Sequence, residues 1–481
     1  MVDFDDLIEQ REKLKLSEED IAERLEKSSF GEKSKELIEK WLDNESYGQV
    51  GLSLFDFPPI VERAHDSILV DVDGKEYIDL LAGFSVSALG ECDERLTDVI
   101  QHQAGKLVHY FDFPHPERIK LSEKLSNISP VKGNAKVAYG VTGSDAVELS
   151  IRAARYHTGK QMILAPYGDY HGVTYGTMST TGKGGMRSYF YPIPPQDSAV
   201  NYFPFPYSYQ SPFGEAPEDR EQEEYTLEKF ENYMEYYFES KESPYREAKS
   251  GITNVAAFLV SPAQCSAGYI MPPEGYLEAL RDFADKYGIL LIIDEIQAGL
   301  GRTGKLWASN WEDIEADMIV TSKALGGGLP LSALVASSEI LESWGPGAHV
   351  STQAGNVLAC AAANKALEVI DDEKFLEGVR ERGQYFADKL ESLKDKYPVI
   401  GDISHKGLFL GIELVKDLES KEPAVEEADM VLKKSIEKGL IFEKGGYFHN
   451  RLQLIPPLTI EKNTIDHAVG ILDKVFADLK Q

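Results

Sequence analysis

The sequence predicts an α/β protein built on a large, mainly parallel sheet flanked by helices. Three observations predict it. From about residue 115 to 340, short apolar runs alternate with amphipathic stretches of helix length. The runs, such as Leu290 to Ile293 and Met318-Ile319-Val320, are continuous, as strands buried on both faces require. Two of them end on chemistry-bearing residues, Asp294-Glu295 and Thr321-Ser322-Lys323. Open α/β sheets place their ligands at such C-terminal strand ends.

At 481 residues the chain is too long for one simple core, so two domains, or one large domain with a smaller lobe, are expected. Its 42% hydrophobic content is enough for a sizeable core. Against 80 Asp+Glu stand only 50 Lys+Arg, a formal charge of −30. That balance excludes nucleic acid and an anionic membrane as partners, since both need a basic surface. A well-solvated acidic surface accounts for it; adaptation to high salt, where screening removes self-repulsion, is the sharper alternative. The cysteines Cys92, Cys265 and Cys360 are odd in number and widely spaced, with no metal-ligand or disulfide pattern. The start, MVDFDDLIEQ, lacks the basic and apolar regions of a signal peptide, and no apolar run approaches membrane-spanning length. A soluble, cytoplasmic protein is expected.

Taken in order, residues 1–50 read as an acidic helical extension for packing or oligomer contact, partly disordered at its start. Ser17-Glu18-Glu19-Asp20 resembles a capping box, with Leu16 and Ile21 as a staple. Ile21 and Leu25, then Leu37, Ile38 and Trp41, continue an apolar face. Ser67 to Leu81 reads as a hairpin turning at Asp73-Gly74. Phe84 follows Gly83, which allows close backbone approach. Helices are expected over about 93–108 and 116–128. A strand from Ala135 to Tyr139 leads into a turn of small residues and a helix through Val147, Ile151 and Ala154. The small residues of that turn, at a helix start, offer free N–H groups to an anion; Asp145 and Glu148 there equally serve the dipole without one. After the strand Met162 to Ala165, Tyr170 beside His171-Gly172 is either a ring that stacks on a planar cofactor or a rim aromatic. Residues 182–250 read as an insertion covering the site mouth, helical and acidic from Glu215 to Arg246. The strand Val255 to Val260 ends in Ser261-Pro262-Ala263-Gln264, and a helix runs from Pro273 to Tyr287.

A buried carboxylate and a buried lysine are each unfavourable without a partner. Pyridoxal 5′-phosphate explains both: it needs a lysine for its Schiff base and an acid to keep its pyridine nitrogen protonated. Burial lowers a lysine's pKa and makes its amine a nucleophile. The alternatives are a structural Asp–Lys ion pair or a surface lysine in a loop.

Residues 290–330, LLIIDEIQAGLGRTGKLWASNWEDIEADMIVTSKALGGGLP, resemble the signature of the class III (ornithine/4-aminobutyrate type) aminotransferases of PLP fold type I. With the separated motifs above, the resemblance covers about 52–475. It implies a large cofactor-binding domain at 111–364 and a small α+β domain built from 51–110 and 365–481. It makes Lys323 the Schiff-base lysine and Asp294 the partner of the pyridinium. Gln297 would touch the cofactor's 3-oxygen, Gly143 and Ser144 hold its phosphate, and Tyr170 stack on its ring, with His171 completing an aromatic-His-Gly motif. Ser351 to Asn356 resembles a loop that lends a neighbouring subunit's threonine, here Thr352, to the phosphate. A homodimer, or a dimer of dimers, with shared active sites follows. The implied activity passes an amino group from an amino acid, ω-amino acid or amine donor to a 2-oxo acid, pyruvate or 2-oxoglutarate, by a ping-pong mechanism. An amino-acid racemase or epimerase on the same scaffold is the alternative.

The departures concern substrate choice. Where the family often has Glu-Pro-x-Gln-Gly-Glu, this chain reads Ser261-Pro262-Ala263-Gln264-Cys265-Ser266, without either carboxylate. The second of these pairs with and masks a substrate-binding arginine, whose position here is Gln453. Arg451, on the same face of a strand, either substitutes as the carboxylate anchor or is a solvated strand-end residue. Leu89 to Glu94 also replaces the family's LGHxxP. Selectivity is therefore expected around Phe84, Ser261 to Ser266, and Arg451 to Gln453.

Overall fold

The computed structural model describes residues 17–46, 57–183, 187, 199–240, 243, 245 and 253–479. The expected disorder at the acidic start, and Leu16 of the staple, lie outside them. Two helices open the described chain, α1 (Glu18–Lys27) and α2 (Glu32–Asn44). The capping box is present: Ser17 Oγ accepts from Asp20 N at 3.1 Å and Asp20 Oδ2 from Ser17 N at 3.0 Å. Leu25 and Ile38 are buried with Phe57. The start of α2 rests on the hairpin, where Asp73 accepts from Lys33 N and Ser34 N.

That hairpin belongs to the antiparallel strands β1 (Val61–His65), β2 (Ile68–Asp71) and β3 (Glu76–Asp79). Its strands are shorter than expected because Asp71 Oδ1 accepts from both Asp73 N and Lys75 N and closes the turn early. Next come α3 (Glu94–Ala104) and α4 (Pro116–Ile128). α3 stops short of Val108, with Gly105, a poor helix former, at its end.

The central sheet has seven strands. They are β4 (Ala135–Gly140), β5 (Met162–Pro166), β6 (Val200–Phe203), β7 (Val255–Val260), β8 (Leu290–Asp294), β9 (Met318–Thr321) and β10 (Ser332–Ser337). Their order is β4-β10-β9-β8-β7-β5-β6, and only β10 runs antiparallel to its neighbours. Helices α5 (Gly143–Thr158), α6 (Tyr175–Thr180), α7 (Gln222–Glu239) and α8 (Tyr276–Tyr287) connect them. Alternate residues of each strand enter different cores. Phe258, Leu291, Ile293 and Ile319 join one; Ala257, Leu259, Ile292 and Val320 join the other. This two-sided burial is why the strands read as unbroken apolar runs. Each of the larger side chains, Val, Leu, Ile or Phe, contributes roughly 1.5–3 kcal/mol on burial.

Past the sheet lie α9 (Val357–Ile370), α10 (Glu373–Lys396), β11 (Ile400–Lys406), β12 (Phe409–Leu414), α11 (Val425–Glu437), β13 (Leu440–Ile441), β14 (Glu443–Gly445), β15 (Arg451–Leu454) and α12 (Lys462–Asp478). One antiparallel sheet runs β11-β12-β15-β14. β13 instead joins β3 in parallel, so one sheet ties the two ends of the chain together. No helix among the described residues is long and apolar enough to cross a membrane.

Candidate active site

β8 and β9 lie side by side with Asp294 opposite Val320, which brings both strand ends to one edge. Lys323 stands two residues past β9. Its φ of +46° is left-handed, a conformation that costs an L-residue roughly 1–2 kcal/mol. Such strain concentrates at functional sites. The loop is pinned beside it, where Ser322 Oγ donates to Leu331 O at 2.8 Å. Burial of the Lys323 amine pulls its pKa down, against the pull of Cys265 and Asp294. Among the described residues no carboxylate pairs with it.

Asp294 has a different partner. It is 5% exposed, and its Oδ2 accepts from His171 Nδ1 at 2.8 Å while Oδ1 accepts from Ile296 N at 3.1 Å. On the far side of the ring, His171 Nε2 stands 3.6 Å from Asp169 Oδ2, which also accepts from Ser261 N at 3.0 Å. Burial works against a charge on His171, but the Asp294 hydrogen bond and the two carboxylates outweigh it and raise its pKa. Burial pushes Asp169 up to about 7 despite His171. A row Asp169–His171–Asp294 thus replaces the Asp–Lys ion pair that the sequence left open. Glu295 plays another part: it accepts from Ala308 N and Ser309 N and caps a short helix there.

The turn before α5 is closed by its own capping box. Thr142 Oγ1 accepts from Asp145 N, and Asp145 Oδ2 accepts from Val141 N at 3.0 Å and Thr142 N at 2.8 Å. Glu148 accepts from Thr174 Oγ1 and Gly176 N at the start of α6. Both acids are therefore structural. The first-turn amides of Gly143 and Ser144 keep no acceptor among the described residues, as an anion site requires. Gly172 brings the aromatic-His-Gly segment against this turn. Its φ is +127°, and a Cβ there would stand 2.3 Å from Ser144 Oγ. Val173 N donates to that oxygen at 3.2 Å. Tyr170 is part-buried near Asp294, and burial followed by that charge raises its hydroxyl pKa.

Gln297 donates from Nε2 to the Tyr269 hydroxyl at 3.2 Å. Nearby, Phe84 lies in a run of left-handed residues, Ala82 to Ser85. Asp79 Oδ1 accepts from Leu81 N and Ala82 N at its start, and Arg302 Nε donates to Ser85 Oγ at its end. Thr352 is exposed in the loop before α9.

Arg451 requires a correction. It is 1% exposed and enclosed by the fold. Nη1 donates to Glu413 Oε2 and Tyr207 Oη, Nη2 to Ser404 Oγ, and Nε to Gly268 O at 2.7 Å. A guanidinium held this way is no free fork for a substrate carboxylate. Gln453 donates to Cys265 O at 2.6 Å and is likewise structural. Three residues escaped the sequence reading. Asp169 had a signal, a carboxylate between a glycine and an aromatic after a buried strand. Lys183 and Glu443 had none, because only the fold brings Glu443 near Lys183 and Lys323.

The pattern of the class-III aminotransferase family matches residues 55–476. A leucine/methionine racemase from Thermococcus litoralis is 37% identical over 431 residues, spanning 88% of this chain and 92% of that one. A diaminobutyrate–2-oxoglutarate aminotransferase from Rhizobium meliloti is 34% identical over 435 residues, spanning 88% and 89%. Among solved structures, an aminotransferase from Bacillus anthracis superposes with a TM-score of 0.81 at 29% identity, covering 94% of this chain and all of that one. These likenesses agree with the fold: the chain belongs to the class-III aminotransferases, enzymes of PLP fold type I that depend on pyridoxal 5′-phosphate.

Proposed function

We propose that this enzyme moves an amino group from an amino acid, ω-amino acid or amine to a 2-oxo acid such as pyruvate or 2-oxoglutarate, in the cytoplasm. The observation that carries the reading is the convergence of a desolvated lysine, Lys323, and a buried, hydrogen-bonded carboxylate, Asp294, on neighbouring strand ends. The residues fit the cofactor. The unpaired amides of Gly143 and Ser144 would take its phosphate, and Asp294 would keep the proton on its ring nitrogen. Gln297 would reach its 3-oxygen and Tyr170 its ring face.

When bound, the cofactor supplies an electron sink that makes the substrate's α C–H acidic. The chain's own groups do the rest. Lys323 Nζ, whose charged form burial disfavours, takes the proton from the substrate's α-carbon and passes it on to the cofactor. Asp294 presents a fixed negative charge. His171 holds the orientation of that carboxylate, and Asp169 in turn faces the ring.

A second copy of the chain completes the site in this reading. Val108, Tyr110, Phe111 and Phe113 are exposed apolar residues, and Leu358 N, just past the Thr352 loop, donates to Val108 O at 3.2 Å. An apolar rim beside that loop supports a homodimer that shares Thr352. Light scattering would test it.

Racemisation is the second reading, and the higher identity to the racemase favours it. Removal of the α-proton by Lys323 would be common to both; a racemase returns a proton to the opposite face of the α-carbon instead of passing it to the cofactor. Deuterium wash-out from the α-carbon separates the two. Without a 2-oxo acid, a transaminase stops after about one equivalent per site, whereas a racemase continues.

A further inference from the structure

A half-buried lysine, Lys183, and a half-buried carboxylate, Glu443, lie within electrostatic reach of each other, and Glu443 also acts on Lys323. Lys183 Nζ donates to Ser266 Oγ at 3.1 Å. Ser266 O accepts from Gly446 N at 3.4 Å, which seats the end of β14 on the same loop. Glu443 opens β14 and lies directly across from Gln453 of β15. Neither charged group has an ion-pair partner among the described residues, although each acts on the other electrostatically. Burial lowers the Lys183 pKa against the charge of Glu443. Burial likewise pushes Glu443 up to about 7, against the pull of Lys183 and Lys323.

The site must still hold a substrate carboxylate if it takes amino or oxo acids. Arg451 is enclosed and Gln453 is neutral, so neither supplies a free cation. We propose that Lys183 receives the substrate carboxylate and that Glu443 is its counter-charge when no carboxylate is bound, which makes the pair the specificity-determining element of the site. A charge-assisted hydrogen bond from an ammonium to a carboxylate is strong, and a nearby acid competes for that ammonium. This inference rests on the reading of the site as one that holds a substrate amine on the cofactor.

The test titrates the visible absorbance of the holoenzyme with two amines that lack an α-hydrogen. 2-Methylalanine has a carboxylate; tert-butylamine has a methyl group in its place. Lys183→Gln should weaken 2-methylalanine by roughly ten- to hundredfold and leave tert-butylamine unchanged. Lys183→Arg should restore most of the loss, and Glu443→Gln should tighten 2-methylalanine. Equal effects of Lys183→Gln on both amines, or none on either, overturn the assignment of Lys183. Weaker binding in Glu443→Gln overturns the role of Glu443. An unsubstituted holoenzyme whose spectrum responds to neither amine would instead overturn the proposed function.

Discussion

His171 donates to Asp294 from Nδ1 at 2.8 Å, across 123 positions of sequence, and its other nitrogen faces Asp169. The carboxylate that would hold the cofactor's ring nitrogen is therefore itself held. Asp294→Ala removes the charge, and kcat should fall about 10²- to 10³-fold. His171→Ala leaves the charge but frees its orientation, and should cost roughly tenfold. Steady-state kinetics with the absorbance of the bound cofactor would check both. Equal losses in the two variants would contradict a supporting role for His171.

Lys323 is held in a left-handed conformation, with φ +46°. Lys323→Ala should abolish turnover and the visible band of the holoenzyme. Lys323→Gly should do the same while making the cofactor-free protein more stable by about 1 kcal/mol, since glycine adopts that φ without penalty. Urea unfolding of the two variants would show the difference. Surviving turnover in either would refute the assignment of this lysine.

Arg451 tests the difference between an anchor and a strut. Its side chain joins Glu413, Tyr207, Ser404 and the Gly268 carbonyl in the interior. Arg451→Ala leaves Glu413 buried without its partner, a change that typically costs about 3–5 kcal/mol. Denaturant midpoints should drop accordingly. The affinity ratio between 2-methylalanine and tert-butylamine should stay as it was; a collapse of that ratio would restore Arg451 as the anchor.

These residues also show what a sequence can and cannot disclose. β7 was legible from Val255 to Val260 because both faces are buried, so apolar character alone marks its length. Asp294 and Lys323 were legible because strand ends are where such residues have a use. Arg451 was not, because its partner Glu413 lies on the adjacent strand, and a buried arginine looks like an exposed one in a sequence. Nor was the run from Ala82 to Ser85. Only Gly83 favours the left-handed region; the others are held there by Asp79 and Arg302, a tertiary cause. The Lys183–Glu443 pairing is tertiary in the same way.

Glu295 gives the fold a dependence on pH. Burial pushes its carboxyl from 4.5 up to about 7, although Ala308 N and Ser309 N donate to it. The folded state thus binds a proton more tightly than the unfolded one. Its contribution is fully present below pH 4.5 and is lost as pH rises through about 7. Asp169 and Glu443, also raised to about 7, act in the same direction, as does His171 with its raised pKa. The Glu295 contribution to the stability of the cofactor-free protein should therefore fall from pH 5 to pH 8, by on the order of 3 kcal/mol. The surface charge of −30 destabilises the compact state as well, so the measurement belongs in about 1 M salt, where screening removes that effect. Glu295→Gln should flatten the slope of the denaturant midpoint against pH. An unchanged slope would mean that the buried carboxyl ionises in the folded protein much as it does in the unfolded one.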